Sequence, residues 1–334
     1  MSFDLPRHDW TRDEISALFE LPFDTLIAKA IAIKAENWAE GRIQKAQLLS
    51  IKTGGCPEDC GYCAQSSKFE TGVDADKLMP LEEVVESARR AKQNGADRFC
   101  MGAGWRNLKD RDVPKVAAMI EAVKAEGLET CVTLGMLGQG QAEQLAEAGL
   151  DYYNHNLDTS PEYYGSVVTT RTYDDRLETL GRARHAGLKL CCGGILGMGE
   201  SRADRIGLIH ELSQLNPHPE SVPMNMLVPI KGTPLGGSKP ISVVELARSL
   251  AICRIVFPKS WVRLAAGRNE MSAEGQALCL LAGANSIFIG DRLLTTDNPE
   301  VHVDDQLLDD MKFEPSHGDQ MIAEAGRTTL IDRR

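Results

Sequence analysis

The segment GGCPEDCGYCAQS, residues 54–66, places Cys56, Cys60 and Cys63 within eight positions, with no fourth cysteine nearby. A closed structural zinc site takes four ligands, so that reading requires a distant fourth partner. A cubic iron–sulfur cluster has four irons, each usually capped by a cysteine. Three cysteines leave one iron open to another ligand, and an open coordination position is what a reactive metal centre needs. The remaining reading is three packing cysteines. Cysteine is often buried, but a loop holding Gly54, Gly55 and Pro57 beside Glu58 and Asp59 makes a poor core.

Three more cysteines sit at similar depths in successive apolar runs: Cys100 in RFCMG, Cys131 in ETCVTLG and Cys191 in KLCCGG. Strand side chains alternate between faces, so one residue per strand can point into a barrel at a given layer. Three inward thiols at one level could share a metal or simply pack. Cys192 faces opposite to Cys191, and the pattern alone does not decide which points inward. Cys253 and Cys279 fall in helical stretches and read as packing residues. Arg263 lies in the apolar run SWVRLAAGR. A buried guanidinium needs a partner, ordinarily a substrate carboxylate or an acidic side chain. In YNHNLDTS, Asn154, Asn156 and Asp158 share parity. Polar groups on an inward face suggest ligand hydrogen bonds, with a polar strand end as the alternative. His155 has the opposite parity and reads as structural.

These residues need a scaffold. Residues 1–45 read as helical, with Thr11 and Glu14 in a capping-box pattern. Eight apolar runs follow, from AQLLSIKT (46–53) to SIFIGD (286–291), separated by amphipathic stretches. Several of these end in a glycine: Gly95, Gly127, Gly149, Gly187 and Gly283. Alternation of this kind implies parallel strands with helical crossovers. Eight units predict a (β/α)8 TIM-type barrel over 46–311, with an N-terminal helical extension (1–45) and a loose C-terminal tail (312–334). A doubly wound open sheet is the competing architecture. Barrel chemistry gathers at the C-terminal strand ends, and the triple cysteine follows the first strand.

A formal net charge of -11 without any basic tract argues against nucleic acid or an anionic membrane as partner. The start MSFDLPRHDW lacks a signal-peptide pattern, and no run of about 18 apolar residues spans a bilayer. The expected location is the cytoplasm, where nine cysteines read as metal or redox chemistry rather than disulfides.

CPEDCGYC, a C-x3-C-x2-C with Tyr62 before the last cysteine, resembles the signature of the radical S-adenosylmethionine enzymes. GGILGMGE (193–200) is similar to their glycine-rich segment; as a dinucleotide fingerprint it fails, because position 202 is Arg202. From about Ala46 to Asp310 the chain resembles the biotin synthase family, through CPEDCGYCAQS, CMGAGWR, YNHNLDTSPE, CCGGILGMGE, NMLVPIKGTPL and RLAAGR. The resemblance implies conversion of dethiobiotin to biotin by radical sulfur insertion. It implies a 4Fe–4S cluster on Cys56, Cys60 and Cys63, with S-adenosylmethionine on the open iron. It implies a 2Fe–2S sulfur source on Cys100, Cys131, Cys191 and Arg263. Guanidinium is normally protonated and lacks a free lone pair, so the arginine ligand stands on the resemblance alone. Implied cofactor contacts are Tyr62, Ala103, Asn156, Asp158, Arg176, Ile195 and Val228; implied substrate contacts are Asn156 and Asn225. Arg176 can equally be read as a solvated helix charge. A homodimer and an external electron donor are also implied. Two alternatives remain: another radical S-adenosylmethionine enzyme such as a hydrogenase maturase, which has no need of the second ligand set, and a non-enzymatic iron–sulfur carrier, which has no need of inward Asn and Asp residues.

Overall fold

A strand that is apolar on both faces can bury one inside a ring and the other under a helix. A computed structural model, describing residues 6–316, shows this arrangement. Its strands are β1 (Arg42–Lys52), β2 (Arg98–Ala103), β3 (Glu129–Thr133), β4 (Tyr152–Asn154), β5 (Lys189–Cys191), β6 (Gly194–Leu196), β7 (Ser221–Met226), β8 (Trp261–Leu264), β9 (Ser286–Ile289) and the short β10 (Glu314–Pro315). They pair in parallel in the order β1-β2-β3-β4-β5-β7-β8-β9, with β6 also on β7, and β9 pairs back with β1. β5 and β6 are two pieces of one barrel strand, so the ring has eight staves and is closed. This is the expected (β/α)8 barrel. The break falls at Gly193, where a Cβ would lie 1.9 Å from the Pro223 carbonyl oxygen. Only glycine lets β7 approach so closely.

The helices are α1 (Arg12–Phe19), α2 (Phe23–Asn37), α3 (Leu81–Gln93), α4 (Val113–Ala125), α5 (Gln141–Glu147), α6 (Pro161–Tyr164), α7 (Tyr173–His185), α8 (Arg202–Gln214), α9 (Val243–Val256), α10 (Ala273–Leu281) and α11 (Val301–Asp310). Gly95, Gly127, Gly149, Gly187 and Gly283 all have positive φ after crossover helices, the conformation that ends them. Thr11 and Glu14 form the capping box of α1. Among the described residues no helix is long and apolar enough to cross a membrane.

β2 shows how the strands sort their side chains. Phe99 and Met101 join the core between ring and helices, with Val84, Ile120 and Val132. Each such fully buried side chain contributes about 1.5–3 kcal/mol. Cys100 points the other way and packs with Ala46, Cys131, Tyr152 and Cys191 inside the ring.

β1 begins four residues before the expected boundary at Ala46. Its first residues pair with β10, Arg42 opposite Glu314, and Ser316 Oγ donates to Asp97 at 3.0 Å. Within residues 312–316 of the expected loose tail, Glu314 and Pro315 therefore return to the sheet. Residues 317–334 lie outside the described residues, as do residues 1–5.

Candidate active site

The loops and strand ends at the C-terminal side of the ring enclose a cavity of about 320 Å³. Its lining includes Cys56, Cys60, Cys63, Cys100, Cys131, Cys191 and Arg263. Tyr62, Ala103, Asn156, Asp158, Arg176, Ile195, Asn225 and Val228 line it too. The two thiol sets thus open onto one space at two depths: one in the loop after β1, the other on the bodies of β2, β3 and β5.

The outer loop folds back on itself. Cys56 N–H donates to the Gln65 carbonyl at 2.9 Å, Ser67 N–H to the Cys56 carbonyl at 2.7 Å, and Cys63 N–H to the Cys60 carbonyl at 2.9 Å. Gly54 has φ +68°, and a Cβ there would lie 2.3 Å from the Asp74 carbonyl oxygen, which requires glycine. The segment before α7 clamps the loop. Gly61 N–H donates to the Val167 carbonyl at 2.9 Å, and Asp59 Oδ1 accepts from Thr169 N–H at 2.9 Å and Thr170 N–H at 3.1 Å. Burial raises the thiols of Cys56 and Cys60 above their ordinary value and pushes Cys63 up to about 12. As free thiols they stay protonated at neutral pH, and a metal would displace those protons.

In the inner set, Cys100 and Cys131 stand in register across β2 and β3. A hydrogen bond with Cys131 holds the Cys191 thiol well below its ordinary value despite burial, with Arg263 and Arg98 adding to the effect. Arg263 is fully buried. Its Nε donates to Ser286 Oγ at 2.8 Å and its Nη2 to Gln44 Oε1 at 2.9 Å, while Nη1 lies 4.0 Å from Cys191 Sγ. Of the partners expected for its charge, an acidic side chain is not among these contacts, which are two neutral oxygens and a cysteine sulfur. Cys192 belongs to the outer core, so Cys191 is the inward residue.

The parity argument for the polar set does not survive. β4 ends at Asn154, so Asn156 and Asp158 occupy the following loop, with Asp158 at φ +67°. They reach the cavity through that turn. Asp158 Oδ2 accepts from the Tyr62 hydroxyl at 2.8 Å and is paired with Arg176 Nη2. Arg176 is buried and also donates from Nε to the Tyr164 hydroxyl at 2.7 Å, so it is no solvated helix charge. Asn156 Oδ1 accepts from Gly193 N–H at 3.1 Å. Asn225 is tied to backbone on both sides, donating to the Gly194 carbonyl at 3.0 Å and accepting from Ala266 N–H at 3.1 Å. His155 does not turn away from the cavity as its parity suggested; it lines it, and its buried Nε2 has no hydrogen-bond partner. Burial, then the positive charges of Arg176 and Arg171, hold its imidazole well below the ordinary value and neutral.

Sequence reasoning missed Arg98, Gln44 and Arg171. Arg98 is fully buried, stacks 3.5 Å from the Tyr152 ring centroid and pairs with Glu129 at 3.0 Å. Its parity with Cys100 was a usable signal. Arg171 lines the cavity with Nη2 3.6 Å from Cys60 Sγ, and nothing local marks it. Among the described residues, no three His, Cys, Asp or Glu side chains are grouped to hold a single metal ion, the grouping a mononuclear zinc site would use.

Residues 50–212 match the Radical SAM superfamily, and residues 223–314 match the Biotin and Thiamin Synthesis associated domain. The chain is 74% identical to a biotin synthase of Hyphomonas neptunium over 91% of this chain and 95% of that one. It is 63% identical to a biotin synthase of Phenylobacterium zucineum over 93% and 94%. Among solved structures, the methylornithine synthase PylB superposes with a TM-score of 0.77 at 20% identity, covering 92% of this chain and 94% of that one. The FeFe-hydrogenase maturase HydG from Carboxydothermus hydrogenoformans gives 0.80 at 19%, covering 92% and 76%. At that identity the structural likeness speaks for the fold alone.

Proposed function

The chain belongs to the biotin synthase family, and from that premise we propose how its cavity divides the work of converting dethiobiotin to biotin. Cys56, Cys60 and Cys63 would hold a 4Fe–4S cluster, with S-adenosylmethionine bound beside it. Cys100, Cys131, Cys191 and Arg263 hold a 2Fe–2S cluster. The observation that carries this division is the pair of thiol sets at two depths of one cavity.

The donor chemistry fits. Thiolates are strong ligands for iron in such clusters, and each set supplies three. In the inner set Ser286 and Gln44 occupy Nε and Nη2 of Arg263, leaving Nη1 toward the thiols. When bound, the clusters and S-adenosylmethionine supply the hydrogen-abstracting radical and the sulfur. No side chain is assigned as a general base, because alkyl C–H groups are far too weakly acidic for any side-chain base. Two C–H bonds are replaced, so two molecules of S-adenosylmethionine are consumed per ring closed.

The chain's own residues bind, orient and exclude water. Tyr62 and Arg176 fix Asp158 through Oδ2, which leaves Oδ1 for a ribose hydroxyl. Asn156 and Asn225 are steadied by backbone contacts; Asn156 offers its Nδ2, and Asn225 its second N–H and the other lone pair of Oδ1, to the ureido ring. Ala103, Ile195 and Val228 complete the cofactor's surroundings, and Leu48, Leu227, Leu293 and Leu294 line the cavity with apolar surface that keeps water from reactive species. An external one-electron donor and a homodimer belong to the same proposal and rest on the family resemblance, and the cytoplasmic location expected from the sequence belongs to it as well.

The test is anaerobic loading with iron and sulfide, followed by dithionite, S-adenosylmethionine and dethiobiotin, with 5′-deoxyadenosine and biotin measured by mass spectrometry. Both products are expected. Cleavage of S-adenosylmethionine without biotin would point to a different radical enzyme, and no cleavage would point to an iron–sulfur carrier.

A further inference from the structure

Three arginines line the cavity: Arg171, Arg176 and Arg263. Arg176 has all its nitrogens engaged, with Tyr164, Asn156 and Asp158. Arg263 is committed to Ser286, Gln44 and the inner thiols. Arg171 is different. Its Nη2 lies 3.6 Å from Cys60 Sγ, and its buried Nε has no hydrogen-bond partner.

The backbone around Arg171 is fixed from both sides. On one side, Thr169 and Thr170 are held by Asp59 in the cysteine loop itself. On the other, Thr172 is the N-cap of α7, accepting from Asp175 N–H at 3.1 Å and donating its own N–H to Asp175 Oδ2 at 2.8 Å. The staple joining the two segments therefore also sets where the guanidinium meets the sulfur. A freely mobile surface arginine would be screened and nearly inert; one half-buried on a backbone held at both ends, with Nη2 at the Cys60 sulfur, is not.

We propose that Arg171 is a positioning residue of the outer cluster, pairing with the Cys60 thiolate and raising the cluster's reduction potential. The inference rests on the reading of Cys56, Cys60 and Cys63 as cluster ligands. Reduction adds one negative charge to an already anionic cluster. A fixed cation close by stabilises that added charge, and hydrogen bonds and net charge at the sulfurs set the potentials of such clusters. The residue would thereby ease electron uptake without touching substrate.

The test compares wild type with Arg171→Gln, Arg171→Met and Arg171→Lys, each loaded anaerobically. Iron and sulfide content is measured first, and the midpoint potential of the 4Fe–4S cluster is then read by potentiometric titration with EPR detection, without turnover. The neutral variants are expected to carry a full cluster with a midpoint lowered by about 59 mV or more, the one-electron equivalent of a tenfold change. Arg171→Lys is expected to stay nearer wild type. A neutral variant with a full cluster and an unchanged midpoint overturns the proposal, as does a lysine variant that falls as far as glutamine. If neither neutral variant loads, the lysine variant decides: a near-wild-type midpoint supports the role, and a drop of about 59 mV overturns it. A wild-type protein that binds no iron at this site overturns the ligand assignment beneath it instead.

Discussion

Asp158 and Arg176 form a buried ion pair at the rim of the barrel, their side chains 2% and 3% exposed. One sits in the turn after β4 and the other in the second turn of α7, so the pair ties the cavity rim to the outer helix layer. Removing one partner of a buried pair leaves an uncompensated charge and costs about 3–5 kcal/mol. Arg176→Met should therefore destabilise the metal-free chain by that amount in urea unfolding. Adding Asp158→Asn should restore part of it. A loss below about 1 kcal/mol, typical of an exposed pair, would contradict the buried assignment.

Arg263 separates two physical accounts. If its charge alone mattered, Arg263→Lys would preserve the inner site. Lysine has a single ammonium head, however, and cannot serve Ser286, Gln44 and the thiols with the reach of a planar fork. We expect Arg263→Lys to alter the visible and Mössbauer spectra of the 2Fe–2S cluster. Arg263→Ala should still assemble that cluster, with changed spectra and lower stability, because water or a thiol can fill the opened position. A spectrum identical to wild type in Arg263→Ala would remove Arg263 from the ligand set.

Cys191 and Cys192 are adjacent yet belong to different layers, the first to the inner thiol cluster and the second to the outer core. Cys191→Ala should lose the 2Fe–2S absorption and most biotin formation. Cys192→Ala should keep both and cost about 1 kcal/mol of stability from the small cavity it leaves. Retention of the cluster in Cys191→Ala would contradict this assignment.

How much of this the sequence disclosed depended on range. Strand alternation and helix-ending glycines are local, so the eight-stave ring was readable before any coordinates. Cys100, Cys131 and Cys191 could be placed at one level for the same reason. Asn156 and Asp158 were assigned to a strand face that ends at Asn154, because the turn that takes Asp158 to φ +67° depends on the loop's pairing with Gly194. Arg171 was invisible because its meaning comes from Cys60, 111 residues away. The buried Arg98 could have been found, since it shares the inward parity of Cys100.

His218 should give the fold a pH dependence. Burial, then the His8 ring 4.2 Å away, push its imidazole down to about 4 from an ordinary value of 6.5. The unfolded chain thus takes up a proton that the folded chain resists. The contribution is fully present above about pH 6.5 and is lost as pH falls toward about 4. Chemical unfolding across that window should show stability declining on acidification, with a shallower decline in His218→Gln. Equal slopes for the two proteins would assign the titration elsewhere.

The central claim is that one cavity holds two different clusters on two separate thiol sets. Its most direct test is Mössbauer spectroscopy of 57Fe-loaded Cys60→Ala and Cys131→Ala beside wild type, all prepared anaerobically. Wild type should show both 4Fe–4S and 2Fe–2S signals. Cys60→Ala should lose the former and keep the latter, and Cys131→Ala should do the reverse, with circular dichroism showing both barrels folded. Loss of the same signal in both folded variants, or of neither, would contradict the division of the site.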